Sequence, residues 1–196
     1  MASRDLAGPH RRALLEATVD EFAAAGYQGA SLNRIIRAAG ISKSSFYHAA
    51  GSKAELLDVV VRALVDEIRA QWSPPPAESF ADGDFWQQVQ DVLEGFAGLV
   101  AGSREAALLG RILYLPAAEG DDARSAVLDD VGRWIAAVIA AGRRAGAVED
   151  RPDPAVQAAA AMGLLRGLDE WALAQAGPVP LDAAEVARLL RRLLGA

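Results

Sequence analysis

Apolar residues recur three and four positions apart along almost the whole chain, and alternating apolar–polar runs bounded by turns do not occur. This periodicity constrains the fold more than any other feature, because it supplies one apolar stripe per helix and leaves nothing to build a sheet from. An all-α chain of about nine helices is expected. Gly8 and Pro9 suit the start of a first helix, whose stripe is Leu14, Leu15, Thr18, Val19 and Phe22 and which ends at Gly26. Ser31 can cap a short helix, LNRIIRAA, closed by Gly40, and Ser42 a second one, KSSFYHA. Ser52 and Glu55 then form a capping box that opens a long helix through about Trp72. The run SPPPAES at 73–79 cannot continue it. Beyond that run, helices are expected near 83–101, 104–115, 122–145, 154–176 and 182–194, separated by Gly102-Ser103, Pro116–Gly120, Gly146–Asp153 and Gly177–Pro180.

Composition excludes several classes of function. The 196 residues, 52% of them hydrophobic, can bury a real core. Without cysteine there is no disulfide framework, zinc-thiolate site or thiol nucleophile, and His10 and His48 are the only imidazoles. No nucleophile–base constellation or glycine-rich phosphate loop is visible, so neither enzyme activity nor a cofactor is expected. Asp121-Asp122 suit the first turn of a helix and Asp129-Asp130 a solvated face, so no metal site is expected. The start, MASRDLAGPHRR, has no apolar segment, and no later run approaches the ~18 residues of a membrane span. A soluble cytoplasmic protein is expected.

The formal charge of −6 argues against nucleic acid until it is divided along the chain. Residues 1–55 carry seven basic and five acidic side chains, and residues 56–196 carry thirteen and twenty-one. Such asymmetry offers an anionic partner the front of the molecule. Both lysines of the chain, Lys43 and Lys53, lie in AAGISKSSFYHAAGSKAEL, from Ala38 to Leu56.

That stretch closes a helix-turn-helix, whose second helix can enter the major groove. Leu32, Ile35, Ile36 and Ala39 should face inward, Gly40 should make the turn, Ile41 should plug the gap, and Phe46 should anchor the second helix. Lys43, Ser44, Ser45, Tyr47 and His48 are left outside, with donors for phosphate and short groups for base edges. Lys53 sits in the first turn of the long helix, where a cation opposes the dipole; a bound phosphate would resolve the mismatch.

The segment ALLEATVDEFAAAGYQGASLNRIIRAAGISKSSFYHAAGSKAELL resembles the amino-terminal DNA-binding domain of the TetR (tetracycline-repressor-like) family, from about Arg12 to Leu57 without gaps. AGRRAGAVEDRPDPAVQAAAAMGLLRGLDEWAL, further on, resembles the family more loosely. The resemblance implies a three-helix domain, here residues 1–56, followed by a helical effector-binding and dimerisation domain, 57–196. It also implies a homodimer built on the last two helices. Residue by residue, Ser31 would hold phosphate, Lys43, Ser44, Ser45 and His48 would face the groove, and Tyr47 and Lys53 would grip the backbone. Departures from the family pattern are Thr18, Glu21, Ala30 and Ile36, and above all Ala49 and Ala50, where a phosphate-contacting ring and a packed Phe are usual. An unfilled space at Ala50 would cost roughly 3–5 kcal/mol; Ile36 and Phe46 are expected to fill it.

In the larger domain, Trp86, Phe96, Arg111, Tyr114, Trp134 and Arg166 combine apolar walls with a few polar groups, as helical ligand pockets do, and are expected to contribute to an effector site. The last helix carries Val186, Leu189, Leu190, Leu193 and Leu194 on one stripe. The helix before it offers Gly163, Leu164, Gly167, Leu168 and Trp171. Of these, Leu164, Leu168, Trp171, Val186, Leu189, Leu190 and Leu193 are the expected dimer contacts. The resulting expectation is a transcriptional regulator, a repressor that binds a palindromic DNA operator as a homodimer and is released by a partly hydrophobic small molecule. The competing readings are a helical small-molecule-binding protein with an unused DNA-binding domain, a helical enzyme, or an activator without effector control.

Overall fold

A computed structural model describes residues 9–115, 122–175 and 181–195. Among these are nine α-helices and no strand. The helices are α1 (Pro9–Gly29), α2 (Leu32–Ala39), α3 (Lys43–Ala49), α4 (Lys53–Gln71), α5 (Phe85–Gly102), α6 (Arg104–Leu113), α7 (Asp122–Arg144), α8 (Pro154–Leu173) and α9 (Ala183–Leu194). Local chemistry accounts for the ends. Helix α1 breaks at Gly26, whose φ of 65° lies in the left-handed region. Gly40, also at φ 65°, closes α2 with its N–H on the Arg37 carbonyl at 3.2 Å. The side chains of Ser42, Ser103, Asp153 and Asp182 accept backbone N–H groups at the starts of α3, α6, α8 and α9. The expected breaks at Pro116–Gly120 and Gly177–Pro180 lie outside the described residues, as does Asp121.

The triple proline is more than a breaker. It leads into a 3-10 turn, Ala77–Ala81, whose Phe80 is fully buried. Phe80 meets Phe85 and Trp134 edge-on, with ring centroids 6.0 and 5.9 Å apart. Pro75 contributes its carbonyl, which accepts the Trp134 indole N–H at 2.9 Å.

The chain divides into two compact units. One comprises residues up to Ala70 together with Ser103–Ser125. Leu14, Val19, Phe22, Ile35, Phe46, Leu56, Val60 and Leu64 are fully buried there. Thr18, on the apolar stripe of α1, is buried as well and donates its hydroxyl to the Leu14 carbonyl at 2.6 Å, so its polar group is satisfied. Arg124 is buried too, donating to the carbonyls of Ile112 and Leu115 at 2.9 and 3.0 Å at the end of α6. Burial pulls its guanidinium below the usual arginine range, against the opposing pull of Asp58 and Tyr27.

The other unit comprises Gln71–Gly102 and Ala126–Ala196. Its core joins Phe80, Phe85, Ile135, Val138, Ile139, Val186, Leu190 and Leu194. This core divides the α9 stripe. Val186, Leu190 and Leu194 turn into the chain's own interior, whereas Leu189 and Leu193 stay 42% and 45% exposed. Leu164 and Leu168 of α8 are partly buried against the same core, and Trp171 is half exposed. A single twelve-residue helix has more apolar positions than one neighbour can cover, and packing decides which are covered.

Candidate nucleic-acid interface

The tight turn at Gly40 sets α3 beyond α2, and Phe46 anchors it at 0% exposure. Ala50 is buried, and so are Ile36 and Phe46, the two residues expected to fill the space that a larger side chain would occupy there. With Phe46 turned in, Lys43, Ser44 and Ser45 are exposed on α3 and Tyr47 is 56% exposed, its ring edge-on to Phe46 at 5.3 Å. Ser45 has a second engagement: its hydroxyl lies 2.8 Å from that of Ser42, which also accepts the Ser45 N–H at 3.0 Å. The side chains of His48 and Ala49 lie outside the described part of the structure.

At the start of α4, Ser52 accepts the Glu55 N–H at 3.1 Å, while the Glu55 carboxylate takes the N–H of Gly51 at 2.7 Å, one residue earlier than in the usual capping box. Lys53 has protein partners of its own. Its ammonium donates to the carbonyls of Tyr27 and Gln28 at 2.9 and 3.1 Å and lies 5.2 Å from the centre of the Tyr27 ring. Carbonyls at the end of α1 thus answer the unfavourable placement of a cation on the α4 dipole.

Ser31 begins α2 without a side-chain cap, and its hydroxyl makes no hydrogen bond to the helix. Instead its N–H donates to Glu21 Oε1 at 2.8 Å. Arg34 Nε donates to both oxygens of the same carboxylate, at 2.8 and 3.0 Å, and its Nη2 to the Gly29 carbonyl at 2.8 Å. Glu21 is one of the departures from the family pattern, and that oddity was the only sign in the sequence of this contact. The Arg34 hydrogen bond, chiefly, holds its carboxyl below the usual carboxylate range; burial opposes it, and the Ser31 N–H and the charges of Arg34 and Lys53 assist it. A pKa lowered in the folded state contributes stability above the unfolded pKa and loses it as pH falls through the folded value. Melting temperature measured from neutral to acid pH should therefore fall less steeply in Glu21→Gln than in the wild type. Parallel acid limbs would show that this pair adds nothing to the acid response.

The six candidate effector residues are divided between the two units. Arg111 and Tyr114 belong to the first unit, where exposed Arg111 pairs with Asp20 at 2.6 Å. Trp86, Phe96, Trp134 and Arg166 belong to the second. Trp86 and Trp134 are half-buried structural members, their indoles tied to the carbonyls of Ala147 and Pro75 at 3.1 and 2.9 Å. They flank the Phe85–Phe80 pair. Phe96 is 45% exposed beside Trp72, and Arg166 is exposed and paired with Glu170. A cleft of about 280 Å³ lies in the first unit among α1, α4 and α6, and none of the six lines it. Asp130 pairs with Arg133 on the exposed side of α7, and no described helix is long and apolar enough to cross a membrane.

Residues 14–60 match the family model described as bacterial regulatory proteins, tetR family. No curated protein matches the chain significantly. Among solved structures, the chain is similar to NalD, the secondary repressor of the MexAB-OprM multidrug efflux pump in Pseudomonas aeruginosa, with 19% identity and a TM-score of 0.70 over 94% of this chain and 95% of that one. FadR of Bacillus subtilis, in complex with stearoyl-CoA, matches with 15% identity and a TM-score of 0.66 over 94% and 98%. PfmR of Thermus thermophilus matches with 22% identity and a TM-score of 0.63 over 92% and 96%. Identities this low show a common fold, whereas the amino-terminal match is one of sequence. Residues 14–60 thus match the tetR family of bacterial regulatory proteins as its amino-terminal helix-turn-helix domain, and the chain as a whole shares the fold of these solved structures.

Proposed function

We propose that the protein is a repressor that binds a palindromic operator as a homodimer in the cytoplasm and leaves it when a partly hydrophobic small molecule binds the helical region after residue 56. The observation that carries this reading is the exposed row of Lys43, Ser44, Ser45 and Tyr47 on a short helix held by fully buried Phe46. In this reading Lys43, Ser44, Ser45 and His48 face the groove, while Ser31, Tyr47 and Lys53 hold phosphate. The acidic remainder of the chain disfavours DNA elsewhere on the surface and so orients the encounter. NalD as a repressor and FadR with its acyl-CoA supply the analogy for repression and for an apolar effector. Release is then a population shift. The operator needs the two recognition helices about 34–36 Å apart, and an effector that prefers another spacing lowers DNA affinity by its differential affinity for the two states.

Fluorescence anisotropy with duplex DNA selected from a random pool, titrated over a salt series, tests the reading. Tight binding that falls steeply with salt is expected. Lys43→Ala with Tyr47→Phe should weaken it roughly 10- to 100-fold and lower the salt slope by about 1. A protein that selects no sequence would favour the other reading, a small-molecule-binding protein whose amino-terminal domain is unused.

A further inference from the structure

The start of α2 already holds an anion, and it is one the protein carries itself. The Glu21 carboxylate accepts the Ser31 N–H at 2.8 Å and two hydrogen bonds from the Arg34 guanidinium. These are the partners that a DNA phosphate would take at the same place, a backbone N–H at a helix start and a planar cation with paired donors. The neighbouring cations are similarly occupied: Arg34 Nη2 is on the Gly29 carbonyl, and Lys53 is on the carbonyls of Tyr27 and Gln28. Ser31, by contrast, makes no hydroxyl bond to its own helix.

We infer that Glu21 is an internal competitor of operator phosphate, an autoinhibitory contact that holds DNA affinity below what the same helix-turn-helix could reach. The inference rests on the operator-binding reading above. A phosphate that approaches Ser31 meets a fixed negative charge and must either displace it from Ser31 and Arg34 or bind beside it. Arg34, 57% exposed, is the group that moderates this repulsion by neutralising the carboxylate, which is 14% exposed. The pair's contribution to folding, with Arg34 largely exposed, is the modest one that the acid limb of the melting curve reads. Its consequence belongs to binding, where a carboxylate that Arg34 neutralises only in part repels an approaching phosphate.

The test uses the full-length protein and DNA selected by the wild type. Glu21→Gln keeps an acceptor for the Ser31 N–H and removes the charge. It should tighten binding by about three- to tenfold at low salt, and the gap should close as salt screens the interaction. Unchanged or weaker binding by Glu21→Gln overturns the inference. Arg34→Gln supplies a second measurement should that variant melt well below the wild type. Its loss of affinity should be larger beside Glu21 than in the Glu21→Gln background, whereas equal losses in the two backgrounds overturn the inference by making Arg34 a direct phosphate contact. A wild type that selects no DNA sequence removes the operator-binding reading first, and the inference falls with it. The two failures are therefore distinguishable.

Discussion

Replacing both Leu189 and Leu193 with glutamate is expected to give a folded monomer that has lost at least about 100-fold in operator affinity. The two leucines lie four residues apart on one stripe of α9, 42% and 45% exposed, while Val186, Leu190 and Leu194 of the same helix hold the core. The charges therefore fall on the outer side of α9 and leave its inner packing intact. If this stripe is the proposed dimer surface, two-fold symmetry doubles the damage: four carboxylates are buried without partners across one interface. Light scattering coupled to size exclusion would read the oligomeric state, and anisotropy would read the affinity. A monomer retains one recognition helix and loses the gain from tethering two half-sites, typically 100- to 10,000-fold. Persistence of a dimer would place the interface elsewhere, with half-exposed Trp171 of α8 the next position to test.

Phe46→Ala should remove DNA binding by a different route. Phe46 is fully buried, and α3, only seven residues long, cannot persist as an isolated helix. Removing the ring should cost about 3–5 kcal/mol, a large part of the ~5–15 kcal/mol that holds a domain together. Ala50, already small at the C-cap of α3, has no bulk with which to refill the space. Circular dichroism should show an early melting step that the wild type lacks, with the core around Phe80 and Phe85 melting later, and specific DNA binding should disappear. Tyr47→Phe is the control, since its ring is more than half exposed and the substitution removes a hydroxyl without opening a cavity. A Phe46→Ala variant that melts with the wild type and still binds DNA would mean that α3 is held by something other than this ring.

The two predictions differ in how legible their residues were. Phe46 could be placed inside and Lys43, Ser44, Ser45 and Tyr47 outside from order alone, because a short helix after a glycine turn has one inner face and its spacing assigns each residue a side. The same holds for the cap at Ser42 and the helix-ending glycines at 26 and 40, which depend on groups within a few residues of one another. Lys53 was legible as a cation at an unfavourable helix end, but the carbonyls that answer it lie 25 and 26 residues earlier.

Contacts between distant segments carried the rest. The Glu21–Arg34 pair spans 13 residues and two helices, so no periodicity announces it. The triple proline was legible as the end of α4, whereas its conversion into a turn that buries Phe80 required the rings of Phe85 and Trp134 on two other helices. Trp86 and Trp134 looked like pocket walls because composition cannot tell an indole facing a ligand from one whose N–H is taken by a backbone carbonyl. In α9, likewise, periodicity marked every leucine as apolar and in need of cover. Local hydrogen bonding and hydrophobic spacing dictated the helices, their caps and the outward row of the recognition helix. Which apolar side chains became interior, and which charges were already paired, was decided only by packing, because burial and ion pairing depend on what a distant part of the chain brings alongside.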